Sequence, residues 1–147
     1  MVSAACRFLF HSKHISKLHL PLFLMINNLI GIVGPCASGK STLVVALSER
    51  GYTVKHIAQD HSYVADMWQR LTKPQILIYL SVSYSTTLAR RNMNWSESEY
   101  AKQLQRLAHA QEHADYIIQT DDLTPGEVLE STVVFLRSIG ISPVSQV

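Results

Sequence analysis

The chain has 147 residues, 47% of them apolar and 16% charged, which suits one domain with a real core and excludes a disordered or low-complexity protein. Its two cysteines, Cys6 and Cys36, are too few for a disulfide framework and point to a reducing, cytoplasmic setting. The net charge of +2 is uneven: residues 1–48 hold four basic side chains and no acid, residues 49–147 hold nine basic and eleven acidic ones, and this balance argues against a nucleic-acid partner.

Residues 1–24 are basic, His-containing and apolar by turns, and they fit no element of a fold. A signal peptide is one reading, but the apolar stretch is short and no A-x-A site follows. A transit peptide would explain the missing acids. The preferred reading is that Met25 is the true start, because Met25-Ile26-Asn27-Asn28 leads straight into a strand. This leaves 1–24 as an extension outside the core and 25–147 as the domain. The apolar stretch from Leu18 to Val33 is shorter than the roughly 20 residues of a membrane span and contains Asn27 and Asn28, so no membrane partner is expected.

The first strand is predicted over 29–33. A helix follows over 42–50, with Leu43, Val44 and Leu47 on one face and Gly51 as its stop. The second strand covers 53–58, and a short helical piece over 63–71 ends before Pro74. The run Ile76-Leu77-Ile78-Tyr79-Leu80 reads as a third strand, buried on both faces. Helix returns over 86–91. A longer helix opens at the capping box Ser96-Glu97-Ser98-Glu99, with Tyr100, Leu104, Leu107 and Ala108 at helical spacing. The fourth strand is 116–119. The last helix starts at Thr124-Pro125-Gly126-Glu127, packs through Val128, Leu129, Val133 and Leu136, and stops at Gly140. This alternation predicts an α/β fold: a mostly parallel sheet in three layers, with helices on both faces and a ligand at the carboxyl ends of the strands. Asp60, Ser81 and Thr120 fall on that rim.

Between the first strand and the first helix, Gly34-Pro35-Cys36-Ala37-Ser38-Gly39-Lys40-Ser41 spells GxxxxGKS. Strand, glycine-rich loop and helix is the context this motif requires. Its backbone N–H groups would cradle phosphate oxygens at a helix N-terminus, from Gly34 to Thr42. Gly34 and Gly39 would give the loop its backbone freedom. Lys40 would reach the β- and γ-phosphates and Ser41 would hold Mg²⁺. Thr42 lies nearer the α-phosphate. Cys36, beside the helix N-terminus, would make nucleotide binding sensitive to thiol reagents.

Asp60, in Gln59-Asp60-His61, would deprotonate or orient an acceptor hydroxyl, or hold Mg²⁺ through water. His61 is a weaker candidate for substrate contact. Arg90 or Arg91 would stabilise charge on a transferred phosphoryl group or stack on a base. The two point about 100° apart on a helix, so one of them is expected at the site. Asp121 and Asp122 follow the fourth strand, where a loop could border a base. Trp68 and Trp95 read as packing residues that could shield a pocket. His109-Ala110-Gln111-Glu112-His113 matches an inverted zinc-peptidase motif, but little chain remains for a third ligand, and a solvated helix face accounts for it better.

From Leu29 to Gly140 the chain resembles the small P-loop kinases of the adenylate, thymidylate and shikimate type. The likeness rests on GPCASGKST, an acid after the second strand, ILIYLSVS followed by TTLARR, and IIQTDDLTPGEVLESTVVFL. The resemblance implies a P-loop NTPase fold, with Arg90 or Arg91 as the lid arginine and Thr120 to Leu123 beside adenine. It also implies ATP and Mg²⁺ as cofactors, phosphoryl transfer to a small acceptor of nucleoside or nucleotide type, and Ser41 and Asp60 as the metal's residues. No NKxD guanine signature is present, which favours ATP. Three departures exist. The segment from Ala58 to Gln75 is shorter than the acceptor-binding insert of those kinases, one of their five strands is missing, and the third strand ends in Ser81 where an acid is usual. These favour the alternative, a regulatory module that binds nucleotide without transferring phosphate.

Overall fold

The structure, a computed structural model, describes residues 28–92 and 94–144. The expected extension over 1–24, the Met25 start and Cys6 lie outside the described residues. In chain order the elements are β1 (Ile30–Val33), α1 (Lys40–Glu49), β2 (Val54–His56), a 3₁₀ turn at Gln59–His61, a π-helical turn at Trp68–Thr72, β3 (Ile76–Ser81), α2 (Tyr84–Arg90), α3 (Glu97–Glu112), β4 (Tyr116–Gln119) and α4 (Pro125–Ser138).

The four strands form one sheet in the order β2-β1-β3-β4, and every pair is parallel. Ile30 lies opposite both Val54 and Ile76, and Ile78 lies opposite Tyr116. The continuous apolar runs of β1 and β3 take the centre, where both faces are covered. The chain moves one way across the sheet from β1 to β2 and the other way from β3 to β4. That reversal opens a crevice at the carboxyl ends of β1 and β3.

Side chains alternate between the two faces. Ile30, Ile32, Ile78 and Leu80 meet Leu43 and Leu47 of α1 and Val133 and Leu136 of α4. Val33, Leu77 and Tyr79 meet Leu107 and Ala110 of α3 and the Trp68 ring. Helices therefore cover both faces, as the alternation of elements predicts. Burying one Leu or Ile contributes about 2 kcal/mol. Leu47 on one face and Leu107 on the other are fully buried, so each helix is anchored by such a contribution.

Two helices begin where their caps predict. Ser96 with Glu99, and Thr124 with Glu127, form complete capping boxes, and Pro125 opens the last helix. Each cap stabilises its helix by about 1 kcal/mol. The inward stripe of α3 differs from expectation: Gln103, Leu107 and Ala110 are buried, while Ala108 is exposed. A polar residue at the head of the stripe hides it from a reading of apolar period alone. At the edge, β4 buries Ile118 but leaves Ile117 47% exposed. The second face cluster contains no β4 residue, which accounts for that exposure.

Candidate functional site

The loop between β1 and α1 is shaped by two glycines for different reasons. A Cβ on Gly34 would overlap the carbonyl oxygen of Leu80 on β3 and lie 2.8 Å from Ser38 Oγ. Gly39 meets no such neighbour but sits at φ +95°, in the left-handed region that side chains disfavour. Ala37 is also left-handed, at φ 62°. Gly39 is the N-cap of α1 and supplies no side-chain cap. Among the described residues, the amides of Ala37, Gly39, Lys40, Ser41 and Thr42 have no hydrogen-bond partner. Unpartnered amides around left-handed residues, at the positive end of a helix, are the arrangement that binds anions.

Lys40 points back under this loop. Its Nζ donates to the carbonyls of Gly34 (2.5 Å) and Pro35 (2.9 Å) and to Asp60 Oδ2 (3.2 Å). The ion pair is buried, with Lys40 and Asp60 only 7% and 1% exposed. Burial pushes the Lys40 ammonium below its usual range, and the Asp60 charge works in the opposite direction. Asp60 Oδ1 is buried with no partner, as is Ser38 Oγ. Partial burial, then the charge of Lys40, lowers the pKa of nearby His56 and favours its neutral form.

Asp60 is held by residues far along the chain. Arg106 donates to its carbonyl oxygen (3.2 Å) while its guanidinium lies over the Tyr63 ring. Gln59, fully buried, accepts the Trp68 amide and donates to the carbonyls of Val64 and Arg106. Gln103 grips Cys36 twice: Oε1 accepts the Cys36 amide (3.0 Å) and Nε2 donates to Sγ (3.3 Å).

Two cavities open on the crevice. One, of about 250 Å³, lies between Ala37–Gly39, the two arginines Arg90 and Arg91, and an apolar wall of Leu123 and Val128. The other, of about 170 Å³, lies on the opposite side of the loop and is lined by Lys40, Ser41, His56, Asp60, His61 and Arg91. The residues Ala37, Ser38, Gly39, Thr42 and Arg91 line both. Both arginines line the larger cavity, and they differ in their hydrogen bonds. Arg90 donates to Ala37 O and Thr120 Oγ1, each at 3.1 Å, and to Thr120 O, so it bolts β4 to the loop. Arg91 has no side-chain hydrogen bond among the described residues. Hydroxyl and carboxylate oxygens, from Ser41 and Asp60, are the hard donors that suit Mg²⁺, and the orphaned Oδ1 leaves Asp60 capacity to accept it. The residues present fit that ion.

The other candidates fall elsewhere. Asp121 Oδ1 accepts from the Ser83 amide (2.9 Å) and the Ser83 hydroxyl, so it ties β4 to the start of α2. Burial raises its pKa, but hydrogen bonds from Ser83, Thr86 and Gln119 outweigh this and hold the carboxyl well below its ordinary 3.8. Its stabilising effect is present above pH 3.8 and fades as pH falls below it. Asp121→Asn is expected to cost about 1–2 kcal/mol at neutral pH, the scale of a hydrogen bond to a charged group. Melting curves of both proteins would converge at low pH, and parallel curves would refute the role. Asp122 is exposed.

Trp68 is a packing residue whose Nε1 donates to His109 Nδ1 (3.1 Å). Trp95 packs edge-on against Tyr100 and accepts, through its carbonyl, the Tyr84 hydroxyl. His109 and His113 stack on each other at 4.2 Å, and among the described residues they belong to no three-ligand group. The group that does converge is Cys36, Asp60 and His61.

Sequence reading missed Gln103, Arg106 and His56. A signal existed for the first two. Gln103 and Arg106 lie three apart on α3, on the stripe that Leu107 and Ala110 bury. His56, the last residue of β2, carried none. No protein-family model matches the chain, and no curated protein matches it.

Proposed function

We propose that this protein is a P-loop kinase in type, binding ATP at the Gly34–Thr42 loop and transferring its terminal phosphoryl group to a small acceptor. The observation that carries this reading is the loop itself: unpartnered amides at the start of α1, a buried Lys40 beneath them, and the Asp60 carboxylate 3.2 Å from Nζ. Amides and Lys40 bind the phosphates. The 250 Å³ cavity, with the apolar wall of Leu123 and Val128, takes the base. The 170 Å³ cavity takes the acceptor, whose hydroxyl Asp60 orients and whose proton it accepts. Ser41 and Asp60 hold Mg²⁺, which when bound draws negative charge off the phosphate oxygens. Arg91 supplies positive charge on the γ-phosphate side, and positioning with charge neutralisation provides most of the rate.

One observation favours the alternative, a nucleotide-binding regulatory module. The segment from Ala58 to Gln75 is pinned by Gln59 and Trp68 and leaves only about 170 Å³ beside the loop. ADP release measured against a panel of nucleosides, nucleotides and small metabolites separates the two. Acceptor-dependent release that Lys40→Ala abolishes is the expected result. Tight ATP binding with no turnover across the panel would replace the kinase with the module, and absence of ATP binding would remove both.

A further inference from the structure

Three different ligand atoms meet at the mouth of the smaller cavity. Cys36 Sγ lies 3.5 Å from Asp60 Oδ2 and 3.9 Å from His61 Nε2, and His61 Nε2 lies 3.5 Å from Asp60 Oδ2. A tetrahedral zinc ion with sulfur, nitrogen and oxygen ligands sets ligand atoms about 3.3–3.6 Å apart, given its bond lengths. Two edges already match. The third closes by a few tenths of an ångström, which His61, 65% exposed in its side chain, can supply by rotation. The Asp60 side chain is buried and lines this cavity; Oδ2, the ligand atom, now pairs with Lys40 Nζ at 3.2 Å, and Oδ1 has no partner to hold it in that pose. Gln103 Nε2 donates to Cys36 Sγ, the outer hydrogen bond that steadies a thiolate ligand.

We propose that Cys36, Asp60 and His61 bind a thiophilic divalent ion of the Zn²⁺ class, and that this ion and the Mg²⁺–nucleotide complex exclude one another. The second half rests on the nucleotide reading above. On binding, the Cys36 thiol forms a metal–sulfur bond and its proton passes to solvent, with no change in oxidation state. His61 binds as the neutral imidazole and water takes the fourth position. Mg²⁺ has little affinity for sulfur or imidazole and takes oxygen donors instead. Asp60 is the one ligand common to both sets, and Cys36 sits inside the loop that holds phosphate, so the two occupancies compete. Lys40 keeps the Gly34 and Pro35 carbonyls when Asp60 turns to the metal.

Cobalt(II) titrated into the full chain without nucleotide is the test, because a cobalt–thiolate bond gives a charge-transfer band in the near ultraviolet. One equivalent should bind with that band. The band should vanish in Cys36→Ser and persist in Cys6→Ser. His61→Ala, an exposed change that keeps the fold, should weaken cobalt at least tenfold. Mg²⁺–ATP should reduce the band as it binds, and Zn²⁺ should raise the apparent Kd for ATP. No band in the wild type, or a band that depends on Cys6 alone, overturns the site. ATP and cobalt bound together without mutual effect overturns the exclusion. Cobalt bound with the band, but no ATP binding at all, leaves the site standing and removes the nucleotide reading.

Discussion

On the nucleotide reading proposed above, replacing Lys40 with methionine should lower nucleotide affinity at least about a hundredfold in calorimetric titration, because the ammonium that now holds the Gly34 and Pro35 carbonyls would instead make two charge-assisted hydrogen bonds to phosphate, worth about 1.5 kcal/mol or more each. It also leaves the Asp60 carboxylate buried without its cation. Breaking a buried pair from one side costs about 3 kcal/mol of stability. Asp60→Asn added to Lys40→Met removes that stranded charge. The double variant should therefore melt above the single Lys40→Met protein while still failing to bind nucleotide. Additive losses in the two single variants would show that the pair is not coupled in the way its 3.2 Å separation implies.

The two glycines of the loop should respond unequally to alanine. Gly34→Ala puts a methyl group into the Leu80 carbonyl of the central strand β3, where neither backbone can yield without disturbing the sheet. Overpacking of this kind costs about 3 kcal/mol. Gly39→Ala meets open space and bears only the left-handed penalty of about 1 kcal/mol. Urea denaturation of the two variants measures the difference. A larger loss at Gly39 would contradict the close approach of β1's exit to β3.

The order of elements was legible from residue pattern because each carries its own punctuation. Ser96 and Thr124 mark helix starts with a Glu three residues on, and β1 and β3 are continuous apolar runs. The placement of β2 beside β1 was not legible. Strand neighbours in a parallel sheet depend on which way each crossover turns, and no local residue encodes that. Asp60 was readable as a strand-end acid. Its burial against Lys40 was not, since that needs β2 to lie next to the loop-bearing strand. Arg90 shows a further limit: a cation near a crescent of unpartnered amides reads as a catalytic group, and its hydrogen bonds to Thr120 and Ala37 are not legible in the sequence. The same holds for Asp121, whose oxygens serve Ser83 and Gln119. Sequence shows which residues are polar at a strand end, but not which of them have already found partners within the chain.

The two cavities share a wall that one tethered ligand could straddle. Ala37 to Gly39, Thr42 and Arg91 border both. A single molecule with an aromatic head for the Leu123 side, an anionic chain across the loop and a hydroxylated tail for the Asp60 side would engage both at once. Joining the two ends makes the second contact intramolecular, at an effective concentration in the millimolar range for a short link. Such a tethered ligand should bind more tightly than its halves mixed together, and the length of link that gives the greatest gain would serve as a ruler for the span across Gly39.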